Sequence, residues 1–139
     1  MQTRHQWHYH QSAVIPYLEN NGKTSILLIT TRKKKKWTLP KGIVEPNLSP
    51  EESALQEAYE EAGIEGEIQN GIFGTFQYTK WGGTCHVKVF LMKITQMYDQ
   101  WEEDSFRDRK SFSTEEAIRV IGRKEMQPVL EKFSCSSIP

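Results

Sequence analysis

Apolar residues follow a strand-like pattern over much of this chain of 139 residues. Four stretches rich in β-branched and aromatic residues predict strands, namely residues 12–18, 25–31, 75–80 and 85–94. Asn-Gly at 21–22 predicts a tight turn that pairs the first two as an antiparallel hairpin. Shorter extended stretches are expected at 37–39 and 109–113. Residues 66–74 contain turn glycines and favour a loop or a short strand.

Helical signals occur in three places. The longest predicted helix follows Ser49, which suits the N-cap, with Pro50 at the first helical position and Glu52 completing a capping box. Gly63 suits the left-handed residue just past its end. Two further helices are expected at 115–121 and at about 124–133. Helices around a largely mixed sheet predict one α/β domain over residues 1–139, with a core of about 10–133.

The long helix carries three glutamates on one face. Glu57, Glu60 and Glu61 are spaced i, i+3 and i+4, so their carboxylates project together. Like charges at these spacings cost about 0.2–0.5 kcal/mol per pair. The last turn, which holds Glu60 and Glu61, is also where the helix dipole disfavours negative charge. We therefore expect a positive partner on this face, and a divalent cation is the simplest one.

The overall charge excludes a global electrostatic attraction to nucleic acid or membrane. Eighteen basic and eighteen acidic residues give a formal net charge of zero. The basic residues are instead concentrated locally in the run Arg32–Lys36, just before the acidic helix. A lysine run is usually a solvated turn, but its position gives similar weight to binding of a polyphosphate.

Cysteine content and hydropathy favour a cytoplasmic protein without a membrane partner. Cys85 and Cys135 are too few for a disulfide framework and lack metal-site spacing. No apolar segment predicts a signal peptide or approaches the roughly 20 residues of a membrane span. His8 and His10 would share a face of an extended segment, but a frayed end running into a strand is favoured over a metal site.

The stretch from Gly42 to Ile64 resembles the box of the Nudix hydrolase family, G-x5-E-x7-R-E-U-x-E-E-x-G-U, where U is aliphatic. Leu48 replaces the first acid of this pattern and Gln56 replaces its arginine. The spacing is kept at seven positions, which are Gly42, Glu57, Ala58, Glu60, Glu61, Gly63 and Ile64. A box of this length is a specific signal even with two departures.

Later segments resemble the subgroup that includes diphosphoinositol polyphosphate and diadenosine polyphosphate hydrolases. Ser111 stands where that subgroup often has tryptophan. The matching segments are Trp101-Glu102-Glu103, Arg107 with Arg109, Phe112, and Glu116-Ala117. The resemblance covers about residues 12–121.

The resemblance implies a Nudix fold, an α/β/α sandwich with a mixed sheet and a loop–helix–loop box. It also implies hydrolysis of a phosphoanhydride bond in a dinucleoside polyphosphate or a similar small molecule, a diphosphoinositol polyphosphate included. Mg²⁺ or Mn²⁺ would be held by oxygen ligands. By position these ligands are Glu57, Glu60, Glu61 and the backbone carbonyl of Lys41.

Catalytic and phosphate-binding roles follow from the same resemblance. The proton acceptor is a box glutamate or an acid of the distant loop, where Glu103 is the candidate beside Glu102. Cationic clamps for the phosphates would come from Arg32, Lys34, Lys36, Lys41, Arg107 and Arg109. Arg107 and Arg109 rank first among them because they match the subgroup pattern.

The two departures predict a weaker metal site and leave alternatives open. Gln56 brings no charge to brace a box glutamate, and Leu48 removes a secondary acid, so we expect reduced metal affinity rather than loss of activity. One alternative is a catalytically weak Nudix domain that senses a phosphorylated ligand or a partner. Another is an RNA-binding or RNA-processing domain, against which zero net charge counts. Monomer and homodimer both stay open.

Overall fold

A mixed seven-stranded sheet forms the centre of the fold, which a computed structural model describes for residues 7–136. The strands are β1 (Trp7–Asn20), β2 (Lys23–Thr30), β3 (Trp37–Thr38), β4 (Lys41–Ile43), β5 (Ile64–Lys80), β6 (Gly83–Met97) and β7 (Arg109–Ser113). The helices are α1 (Pro50–Ala62), α2 (Thr114–Val120) and α3 (Gln127–Ser134), with a 3₁₀ turn at Lys124–Met126.

The strand order is β3-β2-β1-β6-β5, with β4 beside β1 and β7 beside β2. β1 and β6 run parallel, and the other pairs run antiparallel. The predicted β1–β2 hairpin is confirmed. Asn21 and Gly22 have φ values of 54° and 79°, which the tight primed turn requires at both central residues.

Residues 66–74 are the middle of the long strand β5, so the expected loop or short strand is wrong. β5 pairs with β6 throughout, but the register shifts three times, including once between Gln69 and Ile72. Asn70 and Gly71 lie in that interval with φ values of 60° and 73°. The glycines therefore mark bulges that bend a continuous strand instead of ending it.

Helix α1 has the predicted ends. The Ser49 hydroxyl accepts a hydrogen bond from the Glu52 amide at 3.1 Å, and the Glu52 carboxylate accepts one from the Ser49 amide at 2.9 Å. Gly63 adopts the left-handed conformation with φ 66° and donates its amide to the Tyr59 carbonyl. These caps fix the helix register, and with it the direction of the glutamates.

The C-terminal region departs from the single helix expected at about 124–133. A 3₁₀ turn comes first, and α3 begins only at Gln127. Pro128 explains the division, because proline lacks an amide hydrogen and is tolerated in the first turn of a helix but not in its interior. Before it, α2 runs from Thr114 to Val120 after the N-cap Ser113, one residue earlier than the predicted 115–121.

The core has two layers, one on each face of the sheet. Val87, Val89 and Leu91 of β6 pack with buried residues of α3, such as Leu130 and Phe133. The opposite face of β6 contributes Phe90, Met92 and Ile94 to a second cluster. That cluster includes Ala54, Ala58 and Ala62 of α1. The predicted α/β/α arrangement is thus confirmed, and the alanines allow α1 to approach the sheet closely.

Within residues 7–136, no helix combines the length and apolar character needed to cross a membrane.

Candidate functional site

Two of the three predicted glutamates, Glu57 and Glu61, lie on the side of α1 that faces the strands. Glu57 and Glu61 lie one helical turn apart; Glu61 is only 8% exposed and Glu57 is half-buried. The short strand β4 passes next to them because it pairs with β1, with Lys41 opposite Ala13. The helix and β4 together enclose this pair of carboxylates.

Gly42 is required where β4 touches the helix. A Cβ atom on this residue would lie 2.3 Å from the carboxyl carbon of Glu57, closer than any real contact. The preceding amide, of Lys41, donates a hydrogen bond to Glu61 Oε1 at 3.1 Å. The glycine that opens the predicted box therefore makes room for Glu57, and its neighbour holds Glu61.

Electrostatics at this pair favour a cation. Burial, followed by the charge of Glu60, raises the pKa of Glu57 to about 7. Burial also raises the pKa of Glu61 to about 8, and the charge of Glu57 adds to the rise. Without a further positive charge, the two carboxylates tend to retain protons near neutral pH.

Arg107 is the charged partner of the pair. Its guanidinium lies 3.3 Å from Glu61 Oε2 and 2.6 Å from Glu103 Oε1, and it donates to the Thr30 carbonyl at 2.9 Å. The side chains of Arg107 and Glu61 are only 10% and 11% exposed. Arg107 thus connects the helix, the acidic loop and β2, and it brings Glu103 next to the box glutamates.

Glu60 occupies the outer side of this arrangement. Its Oε1 accepts a hydrogen bond from Gln56 Nε2 at 3.2 Å, and its backbone carbonyl accepts one from the Glu103 amide. Across residues 7–136, no three His, Cys, Asp or Glu side chains converge as ready metal ligands. The candidate ligand set therefore contains the crowded carboxylates of Glu57 and Glu61. The role of Glu60 as a ligand stays a prediction.

A cleft of about 910 Å³ opens beside Glu61 and Gly42. Five of the six predicted phosphate-binding residues line it, namely Arg32, Lys34, Lys36, Lys41 and Arg107. The run Arg32–Lys36 is held in place, because Lys35 donates to the Phe106 carbonyl and Arg32 lies 4.4 Å above the Phe106 ring. The run is therefore an exposed turn that also forms one wall of the cleft.

Lys33 of the run Arg32–Lys36 also lines the cleft, and three further basic residues there were missed, namely Lys80, Arg123 and Lys124. Basic residues outnumber acidic ones in the lining by nine to two. Gly122 brings the last two into place. Its amide donates to the Trp37 carbonyl at 2.8 Å, and a Cβ there would lie 2.7 Å from that of Lys36. No local sequence signal identifies this long-range contact.

Lys41 is bound in a network at the base of the cleft that the sequence did not reveal. Its Nζ donates to the Tyr78 hydroxyl at 2.7 Å, which donates to Gln11 Oε1 at 2.6 Å. The Arg123 guanidinium lies 3.9 Å above the Tyr78 ring. Burial, followed by the charges of Arg123 and Lys80, lowers the pKa of Lys41 to about 8. A bound anion would favour its charged form.

Arg109, the sixth predicted clamp, does not line the cleft. It donates to the carbonyls of Ala62 at 2.8 Å and Tyr98 at 2.5 Å, and it lies 4.0 Å above the Trp101 ring. This is the C-terminal end of α1, where a positive charge is favourable. In the structure Arg109 stabilises the helix end, so it is left out of the proposed binding residues.

Comparison with known proteins identifies the family. The model of the NUDIX domain matches residues 8–133. The chain belongs to the Nudix family. The resemblance seen at Gly42–Ile64 is thereby confirmed, and it includes the helix and the loop that enclose Glu57 and Glu61.

Individual relatives agree with this assignment. Nudix hydrolase 21, chloroplastic, of Arabidopsis thaliana is 36% identical over 125 residues, which are 86% of this chain and 63% of that protein. Mouse (Mus musculus) diphosphoinositol polyphosphate phosphohydrolase 3-alpha is 32% identical over 98 residues, covering 69% of this chain and 58% of its own length. The chain thus spans less than two-thirds of either Nudix relative.

Solved Nudix structures share the fold. The C. elegans Ap4A hydrolase binary complex superposes with a TM-score of 0.79 and 29% identity, covering 91% of this chain and 95% of that chain. The C. elegans Ap4A hydrolase crystal structure gives a TM-score of 0.75. The predicted fold class is confirmed.

Proposed function

We propose that this Nudix protein is a Mg²⁺-dependent pyrophosphohydrolase that cleaves a phosphoanhydride bond in a dinucleoside polyphosphate or a similar diphosphate-containing small molecule. The observation that carries the proposal is that Glu61, one helical turn from Glu57, lines a cleft that nine basic residues also line. Carboxylates suit a hard cation, and the basic residues suit several phosphates in a row.

The carboxylate pair fits a bound Mg²⁺ or Mn²⁺. Two crowded carboxylates with raised pKa values and few neutralising partners form a strong oxygen-donor set. Glu57 and Glu61 would hold the ion, with Glu60 and the Lys41 carbonyl as further ligands. When bound, the metal supplies charge neutralisation on the phosphates and a more acidic water.

The protein's own residues would orient the reaction. Arg107 holds Glu61 and Glu103 by direct ion pairs, so both acids face the same region. Glu103 is the candidate proton acceptor outside the box, and Glu57 is the candidate within it. General base catalysis contributes about 10²–10⁴-fold to the rate in typical enzymes. Replacing the acid that accepts the proton should therefore cause a large fall in turnover.

The cleft also supports a substrate with an aromatic group beyond its phosphates. Trp81 lies on the rim with about half of its surface exposed, next to the edge of Tyr9. A base can stack on such a ring, whereas an inositol ring offers no π face. We therefore favour a nucleotide over a diphosphoinositol, although the chain is similar both to an Ap4A hydrolase and to a diphosphoinositol polyphosphate phosphohydrolase.

The decisive experiment is a hydrolysis screen with Mg²⁺ and Mn²⁺ over dinucleoside polyphosphates, diphosphoinositols and nucleoside triphosphates, with product identification. Glu57→Gln should lower turnover by at least about a hundredfold while leaving the fold intact. Glu51→Gln is the matched control, because Glu51 is exposed in the first turn of the same helix. Wild-type turnover in Glu57→Gln would show that the site is elsewhere.

Two further results separate the alternatives. Tight, saturable binding of these ligands without turnover would favour the sensing domain over the enzyme. Trp81→Ala should raise KM for dinucleoside polyphosphates and leave that for diphosphoinositols unchanged. A cytoplasmic location and the oligomeric state stay predictions. The relatives of this chain include Nudix hydrolase 21, chloroplastic, and Nudix hydrolase 12, mitochondrial.

A further inference from the structure

Three histidines gather on the parallel pair β1–β6, away from the carboxylate pair. His8 and His10 lie on the same face of β1, and His86 of β6 is directly opposite His10. His8 Nδ1 lies 2.8 Å from His86 Nε2, with ring centroids 5.1 Å apart. The His10 ring stacks on the His86 ring at 5.5 Å and 25°. Three imidazoles therefore share one small area of surface.

The two strands hold these rings on a rigid support. β1 and β6 are paired continuously from Trp7 opposite Gly83 to Tyr17 opposite Lys93. Sites on strands keep their geometry better than sites on loops. His8 and His10 are exposed and His86 is half-buried, so an ion in solution has direct access to them.

The ring nitrogens have nearly the separation of two ligands on one metal ion. Neutral imidazole is a preferred ligand of Zn²⁺, Ni²⁺ and Cu²⁺, and it binds hard Mg²⁺ poorly. Two nitrogens at Zn–N distances of about 2.0–2.1 Å in a tetrahedral site lie about 3.3 Å apart. A small outward rotation of either ring from the observed 2.8 Å would admit an ion.

We propose that His8 and His86 bind a transition metal ion of the Zn²⁺ class at a site separate from the box. His10 is not placed as a third ligand, because no three His, Cys, Asp or Glu side chains within residues 7–136 are arranged to hold a metal ion. Its stacked ring is nevertheless the nearest further donor, and water would fill the remaining positions. The binding is expected to be of moderate strength.

This site has a structural connection to the Nudix box. The His10 carbonyl accepts a hydrogen bond from the Val44 amide at 3.0 Å. A second cavity, of about 450 Å³, is lined by His10 and His86 together with Val44 and Pro50. An ion at the histidines would therefore lie beside the loop that leads into α1, and it would cross-link the two strands that support this loop.

An ordinary N–H···N hydrogen bond between the two imidazoles is the competing explanation of the 2.8 Å distance. It needs no metal, and it predicts no change in the rings when Zn²⁺ is added. The experiment is a calorimetric titration of untagged protein with Zn²⁺ at about pH 7.5, where free imidazole is mostly neutral. Excess Mg²⁺ is present to occupy hard oxygen sites, and Co²⁺ absorption provides an independent readout.

Wild-type protein should bind one equivalent, and both His8→Ala and His86→Ala should weaken that binding by at least about tenfold. Lys88→Ala is the matched control, because Lys88 lies two residues after His86 and lines the same cavity without being a ligand. The double change of Glu57→Gln with Glu61→Gln should leave binding intact, which keeps this test independent of the proposed hydrolase activity.

Two outcomes would overturn the proposal. One is wild-type Zn²⁺ binding no stronger than that of His8→Ala, a change at an exposed side chain that should leave the fold intact. The other is loss of binding in the double glutamate variant but not in the histidine variants, which would place the ion in the box.

Discussion

Arg107 and Arg109 are two residues apart, yet they act on two different regions around α1. Arg107 enters the cleft and pairs with the carboxylates of Glu61 and Glu103. Arg109 turns to the end of the helix and binds the backbone carbonyls of Ala62 and Tyr98. One arginine organises acidic side chains, whereas the other satisfies the last carbonyls of a helix.

The backbone explains this difference. Arg109 is the first residue of β7 and is fixed opposite Ile29 by strand pairing. Arg107 precedes the strand, at a point where the Asp108 amide donates to the Thr30 hydroxyl and the Thr30 amide donates to the Asp108 carbonyl. The comparison shows that two members of one short motif need not share a function, since each takes its partners from the local direction of the chain.

The largest effect on stability is expected from Arg107→Ala. Removing one member of a buried ion pair costs about 3–5 kcal/mol, and we expect about 3 because Glu61 can take up a proton. Hydrolysis should also fall, since Glu61 and Glu103 lose their common partner. Urea unfolding and steady-state kinetics measure the two effects.

Arg107→Lys is the control for charge alone. Lysine keeps the positive charge but cannot reproduce the guanidinium fork that contacts both acids and the Thr30 carbonyl. An intermediate loss is therefore expected. If Arg107→Ala were as stable and active as wild type, the ion pairs would have no role.

Arg109→Ala should separate stability from catalysis. Its loss removes hydrogen bonds to three carbonyls and the contact with Trp101, at a cost of about 1–3 kcal/mol. Turnover per folded molecule at saturating substrate should stay within about twofold of wild type. A large fall in kcat with normal stability would instead return Arg109 to the catalytic region.

The helix side of the site was predictable because its signals are local. Ser49, Glu52 and Gly63 set the ends of α1, and the spacing of Glu57 and Glu61 places both carboxylates on one face. Gly42 was identified through the box pattern, and the structure adds the physical reason, its close contact with Glu57.

The opposite wall of the cleft was not predictable, because it is assembled over long distances in the chain. Arg123 reaches the run Arg32–Lys36 through the contacts of Gly122 with Lys36 and Trp37, and Lys80 reaches it through the β5–β6 hairpin. The direction of the Arg109 side chain could not be predicted for the same reason. Its motif carries no information about which way the chain turns at the start of β7.

Magnesium ions should stabilise the cleft region in a pH-dependent way. The pKa values of Glu57 and Glu61 are raised in the folded state, so metal-free protein loses stability as pH rises and these groups ionise. A cation binds the ionised form, and its stabilisation therefore grows with pH. At ten times Kd we expect about 1.4 kcal/mol.

Thermal unfolding with and without Mg²⁺ at about pH 6 and about pH 8.5, at matched ionic strength, measures this effect. The increase in unfolding temperature caused by Mg²⁺ should be larger at the higher pH. It should persist in Arg109→Ala and disappear in Glu57→Gln. An increment that is equal at both pH values would mean that the ion does not compete with protons on these carboxylates.

The smallest effect is expected from Gln56→Arg, which adds the arginine that the Nudix pattern has at this position. Gln56 is exposed and contacts Glu60, not Glu57 or Glu61, so the new charge would reach the metal site only indirectly. An i, i+4 pair with Glu60 contributes about 0.2–0.5 kcal/mol, and the arginine-first order favours the lower value. By steadying Glu60, it should lower the Mg²⁺ concentration for half-maximal activity about twofold. Gln56→Ala is the control. A weaker Mg²⁺ response in Gln56→Arg than in wild type would contradict this prediction. It would show that an arginine at this position neither organises acidic side chains, as Arg107 does, nor supports the helix end, as Arg109 does.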